Sequence, residues 1–214
     1  MGIQVKICGL KQQDAVDAAV AGGAAFLGFN FYLRSPRAVS PVEAAALAVT
    51  VPAGITKVGL FVDPESATLA ATLAAVPLDM IQLHGHETPE RVADVRQRFG
   101  IPVMKVLPIA GPEDVAAADP YLAVADWLMF DARPPKTAAA LPGGNGIAFD
   151  WQLIAGRDWP LPWMLAGGLT AATLAEAVRI SGARVVDVSS GVEDRPGVKS
   201  IARIEAFLAA AAAL

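Results

Sequence analysis

Eight short runs rich in β-branched and apolar residues, each followed by a stretch with helical apolar spacing, divide the 214 residues of this chain into repeated βα units. The expected strands are 4–7, 26–29, 57–61, 80–83, 103–107, 127–130, 163–165 and 185–188. Eight such units in so few residues favour closure over an open doubly wound sheet. The reading is an α/β chain folded as one domain over 1–214, a single (βα)8 TIM barrel with eight parallel strands. Helices are expected at 12–20, 41–49, 65–75, 89–99, 112–123, briefly after Asp150, at 171–180 and from Ser200 onward. Ser40 before Pro41 and Thr88 before Pro89 each place a capping hydroxyl ahead of a proline in the first helical position. In the last helix Ile201, Ile204, Phe207, Leu208 and Ala211 make one apolar stripe.

A composition of 54% hydrophobic and 18% charged residues suits a parallel sheet buried on both faces. The net charge of −4 and the lack of a Lys/Arg-rich run argue against a nucleic-acid partner. No apolar run approaches the ~20 residues of a membrane span, and the first residues lack the pattern of a signal peptide. The one cysteine cannot form an internal disulfide, which points to a reducing cytoplasm.

Reactive groups of such barrels lie at the C-terminal ends of strands. Cys8 ends the first strand and shares a face with Lys6 by two-residue alternation, so an ammonium beneath the thiol would favour the thiolate. A small buried hydrophobe is the alternative for Cys8. Lys6, pointing inward, needs a counter-charge, and Asp187 on the eighth strand is the natural partner once the barrel closes. Asp131 ends the sixth strand, where a carboxyl sheltered by the long 132–149 segment can deliver a proton; the other reading is a cap on the following backbone. Gly167 and Gly168, with Ser189, Ser190 and Gly191 after Asp187, occupy the strand ends where many barrels hold a phosphate on main-chain N–H groups. Arg34 and Arg37 can present a planar fork to a carboxylate or remain solvated. Gln82 and His84 are read as lining the substrate site. The chain's two histidines lack neighbours to complete a metal set, so no metal and no cofactor are expected.

Taken in register, KICGL at 6–10, GFNFYLRSPRAVSP at 28–41, QLHGHE at 82–87, FDARPP at 130–135, PGGNGIAFDW at 142–151, LAGGLT at 165–170 and VDVSSGVEDRPGVK at 186–199 closely resemble phosphoribosylanthranilate isomerases. The resemblance implies an Amadori rearrangement of a phosphorylated small molecule in tryptophan biosynthesis; the sequence is compatible with a monomer and with a homodimer. It implies Cys8 as general base, Asp131 as general acid, Arg37 as the holder of the anthranilate group, and a phosphate site at Gly167, Gly168 and 189–191. Departures from the family pattern are Asn145, Asn30 and a slightly extended 136–141 segment. The rivals are a histidine-pathway or dual-substrate sugar-phosphate isomerase, which would carry an aspartate where Cys8 stands, and a non-catalytic phosphate-binding barrel.

Overall fold

A computed structural model describes residues 2–134 and 142–214; the 136–141 segment singled out above lies outside the described residues. Eight parallel strands close into a barrel in chain order: β1 Gln4–Cys8, β2 Phe26–Asn30, β3 Thr56–Phe61, β4 Met80–Leu83, β5 Val103–Ile109, β6 Trp127–Ala132, β7 Trp163–Leu165 and β8 Val185–Val188. β8 pairs with β1, which sets Lys6 opposite Asp187. The helices are α1 Gln13–Ala21, α2 Pro41–Ala48, α3 Ser66–Ala75, α4 Pro89–Phe99, α5 Pro112–Ala116, α6 Leu174–Ser181 and α7 Ile201–Ala212.

Alternation along each strand divides the apolar residues into two cores. Phe26, Val58, Met80, Met104, Val106, Met129 and Met164 fill the barrel interior, while Ile7, Leu27, Phe29, Ile81, Leu83 and Phe130 face the helices. Four methionines inside the barrel suit that irregular space, because their unbranched side chains adapt to it. Ser40 and Thr88 cap α2 and α4 as expected, Ser40 in a reciprocal box with Glu43. Ile204, Phe207, Leu208 and Ala211 of α7 are buried against the sheet.

Three local departures have physical causes. The helix expected over 112–123 stops at Ala116 and resumes only as a 3-10 turn over Asp119–Tyr121. Pro120 has no N–H to donate to the Ala116 carbonyl. α6 begins at Leu174, later than expected, because the Thr170 and Thr173 hydroxyls bond the backbone of the preceding turn. A hairpin of β9 Glu193–Arg195 and β10 Val198–Lys199 was not anticipated. Its signal was Arg195-Pro196-Gly197, with Gly197 at φ +80°.

Candidate active site

Lys6 and Cys8 point into the barrel from β1. Lys6 is fully buried, and its Nζ lies 2.8 Å from Asp187 Oδ1, the pairing expected from strand closure. Burial by itself would push this ammonium's pKa down, but the charge of Asp187, with smaller help from Cys8, outweighs it and holds the group above its ordinary value. Gly28 on β2 leaves the space both groups use. A Cβ there would stand 2.9 Å from Cys8 Sγ and 3.0 Å from Lys6 Nζ.

Cys8 is only 4% exposed, yet it lines a recess of about 460 Å³ with Asn30, Arg37, Gln82, His84, Asp131 and Gly143. Lys6 favours the thiolate as expected, but it does not set the balance. Burial pushes the thiol pKa up, Lys6 pulls it down, Asp187 pushes it up again, and the balance lies above the ordinary value.

Asp131, inward-facing near the end of β6, is nearly buried and makes the backbone cap of the second reading while also lining the recess. Oδ1 accepts from the Ala132 N–H at 2.8 Å, while Oδ2 lies 3.3 Å from His84 Nε2 across the recess. Gln82 Nε2 is 3.2 Å from His84 Nδ1. With the carboxamide donating to Nδ1, the neutral ring carries its hydrogen on Nε2, toward Asp131. That approach does not have hydrogen-bond geometry: among the described residues, buried His84 Nε2 and Gln82 Oε1 have no hydrogen-bond partner. Unpaired buried polar atoms of this kind fit a site completed by a ligand.

Arg37 is buried at the mouth while Arg34 is exposed, so the structure separates the two arginines. Nε and one terminal nitrogen of Arg37 donate to the two carboxylate oxygens of Glu193, each at 2.8 Å, and that terminal nitrogen also reaches the Gly144 carbonyl at 3.2 Å. Lys199 Nζ lies 3.0 Å from Glu193 Oε1 and donates to the Ser189 carbonyl at 2.9 Å. Burial raises the Glu193 pKa, but Arg37 and Lys199 together hold it below the usual carboxylate range.

A second recess, of about 410 Å³, is lined by Gly144, Asn145, Gly146, Gly167, Gly168, Ser189, Ser190 and Gly191 beside Asp131. Among the described residues the N–H groups of Gly168, Ser190 and Gly191 donate to no protein acceptor. Gly168 has φ +64°, and a Cβ there would meet the Ala148 nitrogen at 2.7 Å. A Cβ on Gly191 would come within 1.9 Å of the Leu169 carbonyl oxygen. Asp187 borders both recesses, but its grouping with the phosphate ligands is revised: its carboxylate accepts from Lys6 and would repel an anion.

Reading the sequence missed Gly28, Glu193, Lys199 and the closeness of Gly143, where a Cβ would lie 2.8 Å from Asp131 Oδ2. For Gly28 and Gly143 the available signals were a glycine inside a strand and a Gly-rich run within the long sixth loop. His86 is exposed and pairs with Asp63 outside the recess.

The family model described as N-(5'-phosphoribosyl)anthranilate isomerase matches residues 5–210. The chain is 60% identical over 214 residues to the N-(5'-phosphoribosyl)anthranilate isomerase of Rhodospirillum centenum, covering 100% of each. It is 58% identical to that of Paramagnetospirillum magneticum, over 99% of this chain and 98% of the relative. Among solved structures, phosphoribosylanthranilate isomerase from Thermotoga maritima superposes with a TM-score of 0.89 at 32% identity, over 99% of this chain and 100% of that one. A complex of phosphoribosylanthranilate isomerase with reduced 1-(o-carboxyphenylamino)-1-deoxyribulose 5-phosphate gives 0.86 at 31% identity, with the same coverage. The chain therefore belongs to the N-(5'-phosphoribosyl)anthranilate isomerase family.

Proposed function

We propose that this barrel mouth isomerises N-(5'-phosphoribosyl)anthranilate to 1-(2-carboxyphenylamino)-1-deoxyribulose 5-phosphate, a step of tryptophan biosynthesis, with Asp131 as general acid and Cys8 as general base. The observation that carries the reading is a thiol and a carboxyl on β1 and β6 lining one recess, next to a second recess walled by main-chain N–H groups. The two-recess layout matches a substrate with a phosphate at one end and a benzoate at the other, and the related complex holds such a product analogue.

In this reading Gly168, Ser190 and Gly191 hold the phosphate on backbone N–H groups, and Arg37 holds the anthranilate carboxylate. Asp131 gives its proton to the ribose ring oxygen, breaking the C1′–O bond and leaving a protonated Schiff base. The Cys8 thiolate then takes the C2′ proton. The C2′–H electron pair moves into the new C=C bond of an enolamine, which tautomerises to the aminoketone. C1′ is reduced as C2′ is oxidised, so the rearrangement balances with proton transfers alone. The Ala132 N–H holds Asp131 through Oδ1, and His84, bonded by Gln82, faces its other oxygen across the recess. A Cys8 in place of an aspartate sets the site apart from a histidine-pathway isomerase. The assembly is a monomer or a homodimer; one related structure is of monomers generated from a dimeric enzyme of Thermotoga maritima. We place the enzyme in the cytoplasm; among the described residues no helix is long and apolar enough to cross a membrane.

The test is the loss of phosphoribosylanthranilate fluorescence with purified protein, together with rescue of a tryptophan auxotroph lacking this isomerase and of a histidine auxotroph. Turnover and tryptophan rescue alone are expected. Absence of turnover would sink the assignment, and histidine rescue would favour a dual-substrate enzyme. Gly168→Ala should raise KM roughly tenfold while leaving kcat nearly unchanged, because the phosphate keeps its charge throughout the reaction. An unchanged KM would remove Gly168 from the phosphate site.

A further inference from the structure

Arg37 follows β2 and Ser189 follows β8, yet a single buried carboxylate on the β9–β10 hairpin reaches the first directly and the second through Lys199. Glu193 accepts from Arg37 through both oxygens at 2.8 Å, and Lys199, 3.0 Å from Glu193 Oε1, bonds the Ser189 carbonyl at 2.9 Å. Glu193, Arg37 and Lys199 are all buried. The hairpin turn is pressed onto the arginine's own loop: a Cβ on Gly197 would stand 2.4 Å from the Pro36 carbonyl oxygen, and the Gly197 N–H donates to Glu193 Oε2 at 3.3 Å. Arg203 donates to the Glu193 carbonyl, fixing the same residue from α7.

We propose that Glu193 is a positioning residue that ties Arg37 and, through Lys199, the Ser189–Gly191 turn to one hairpin, fixing the separation of the two substrate-holding groups before substrate arrives. The inference rests on the function proposed above. A guanidinium with Nε and one terminal nitrogen bound by a carboxylate cannot turn about its stem, so it presents one fixed edge to the recess. Two cations share one carboxylate, leaving positive charge in excess where an anionic ligand binds. Holding both grips in place before binding avoids the ordering cost at the moment of binding. The substrate carboxylate and phosphate carry the same charge in ground and transition states, so the effect falls on KM more than on kcat.

The experiment compares wild type, Glu193→Gln, Arg37→Ala, the double variant and Lys199→Met in steady-state turnover of phosphoribosylanthranilate. Glu193→Gln should raise KM about tenfold with kcat within about threefold, and Arg37→Ala should raise KM by roughly a hundredfold. Because Lys199 keeps its own bond to the Ser189 carbonyl when Glu193 is changed, the Glu193→Gln effect passes mainly through Arg37, and the double variant should match Arg37→Ala within about twofold. A further tenfold loss in the double variant, a fall in kcat at constant KM, or an unchanged KM in Glu193→Gln would overturn the proposal, since a purely structural carboxylate would behave in those ways. If Glu193→Gln does not fold, Lys199→Met carries the test: it should weaken competitive inhibition by inorganic phosphate about tenfold, and unchanged inhibition would overturn the tie to the Ser189 turn. Wild type without turnover would sink the function itself, whereas an active wild type with independent variants sinks only the hairpin's role.

Discussion

Cys8→Ala and Asp131→Asn should each lower kcat by roughly 10²- to 10⁴-fold while the far-ultraviolet circular dichroism stays that of the parent. Asparagine keeps the oxygen that accepts from the Ala132 N–H, so the change removes the transferable proton and leaves the strand end in place. Alanine at 8 removes only Sγ from a side chain that already lines the recess. The pH dependence carries a second reading of the same site. Burial holds the Cys8 pKa above its ordinary value, so the thiolate fraction grows as pH climbs through and past the ordinary thiol range. The limb of kcat/KM that reports the base should therefore rise into alkaline pH and disappear in Cys8→Ala. Near-parental turnover in either variant, or a profile unaltered by Cys8→Ala, would remove that residue from the mechanism.

Lys6→Met is expected to destabilise the fold by roughly 3–5 kcal/mol, measured by urea denaturation, because it leaves Asp187 charged and unpaired inside the barrel. Lys6 is fully buried and the Asp187 side chain only 11% exposed, so water cannot take over the lost partner. The folded Lys6 pKa lies above the ordinary lysine value, so the pair's stabilisation is fully present at neutral pH and is lost only as pH rises through that folded value. Lys6→Met combined with Asp187→Leu should recover much of the stability, since removing both charges ends the desolvation cost. Surviving Lys6→Met enzyme should show the base limb displaced further upward, as Cys8 loses the ammonium and keeps the neighbouring carboxylate. A loss below about 1 kcal/mol would show that Asp187 finds another partner or takes up a proton.

Period and punctuation carried most of the architecture. The two-residue alternation of the strands and the capping hydroxyls of α2 and α4 are local properties, readable without knowing what they pack against. The helix expected over 112–123 is longer than α5 because Pro120 lacks the donor that its continuation needs. Lys6 and Asp187 could be paired in advance because barrel closure makes β1 and β8 neighbours.

Eight βα units, a closed parallel sheet, the family, and the strand ends that carry a thiol, a carboxyl and the paired glycines were all legible along the chain. Tertiary packing alone set the direction of the Cys8 pKa, the burial that separates Arg37 from Arg34, and the buried Glu193 and Lys199 behind the recess. The physical reason is range. Periodicity and capping act over a few residues, whereas desolvation and charge pairing depend on groups such as Arg37 and Glu193, far apart along the chain and 2.8 Å apart in space.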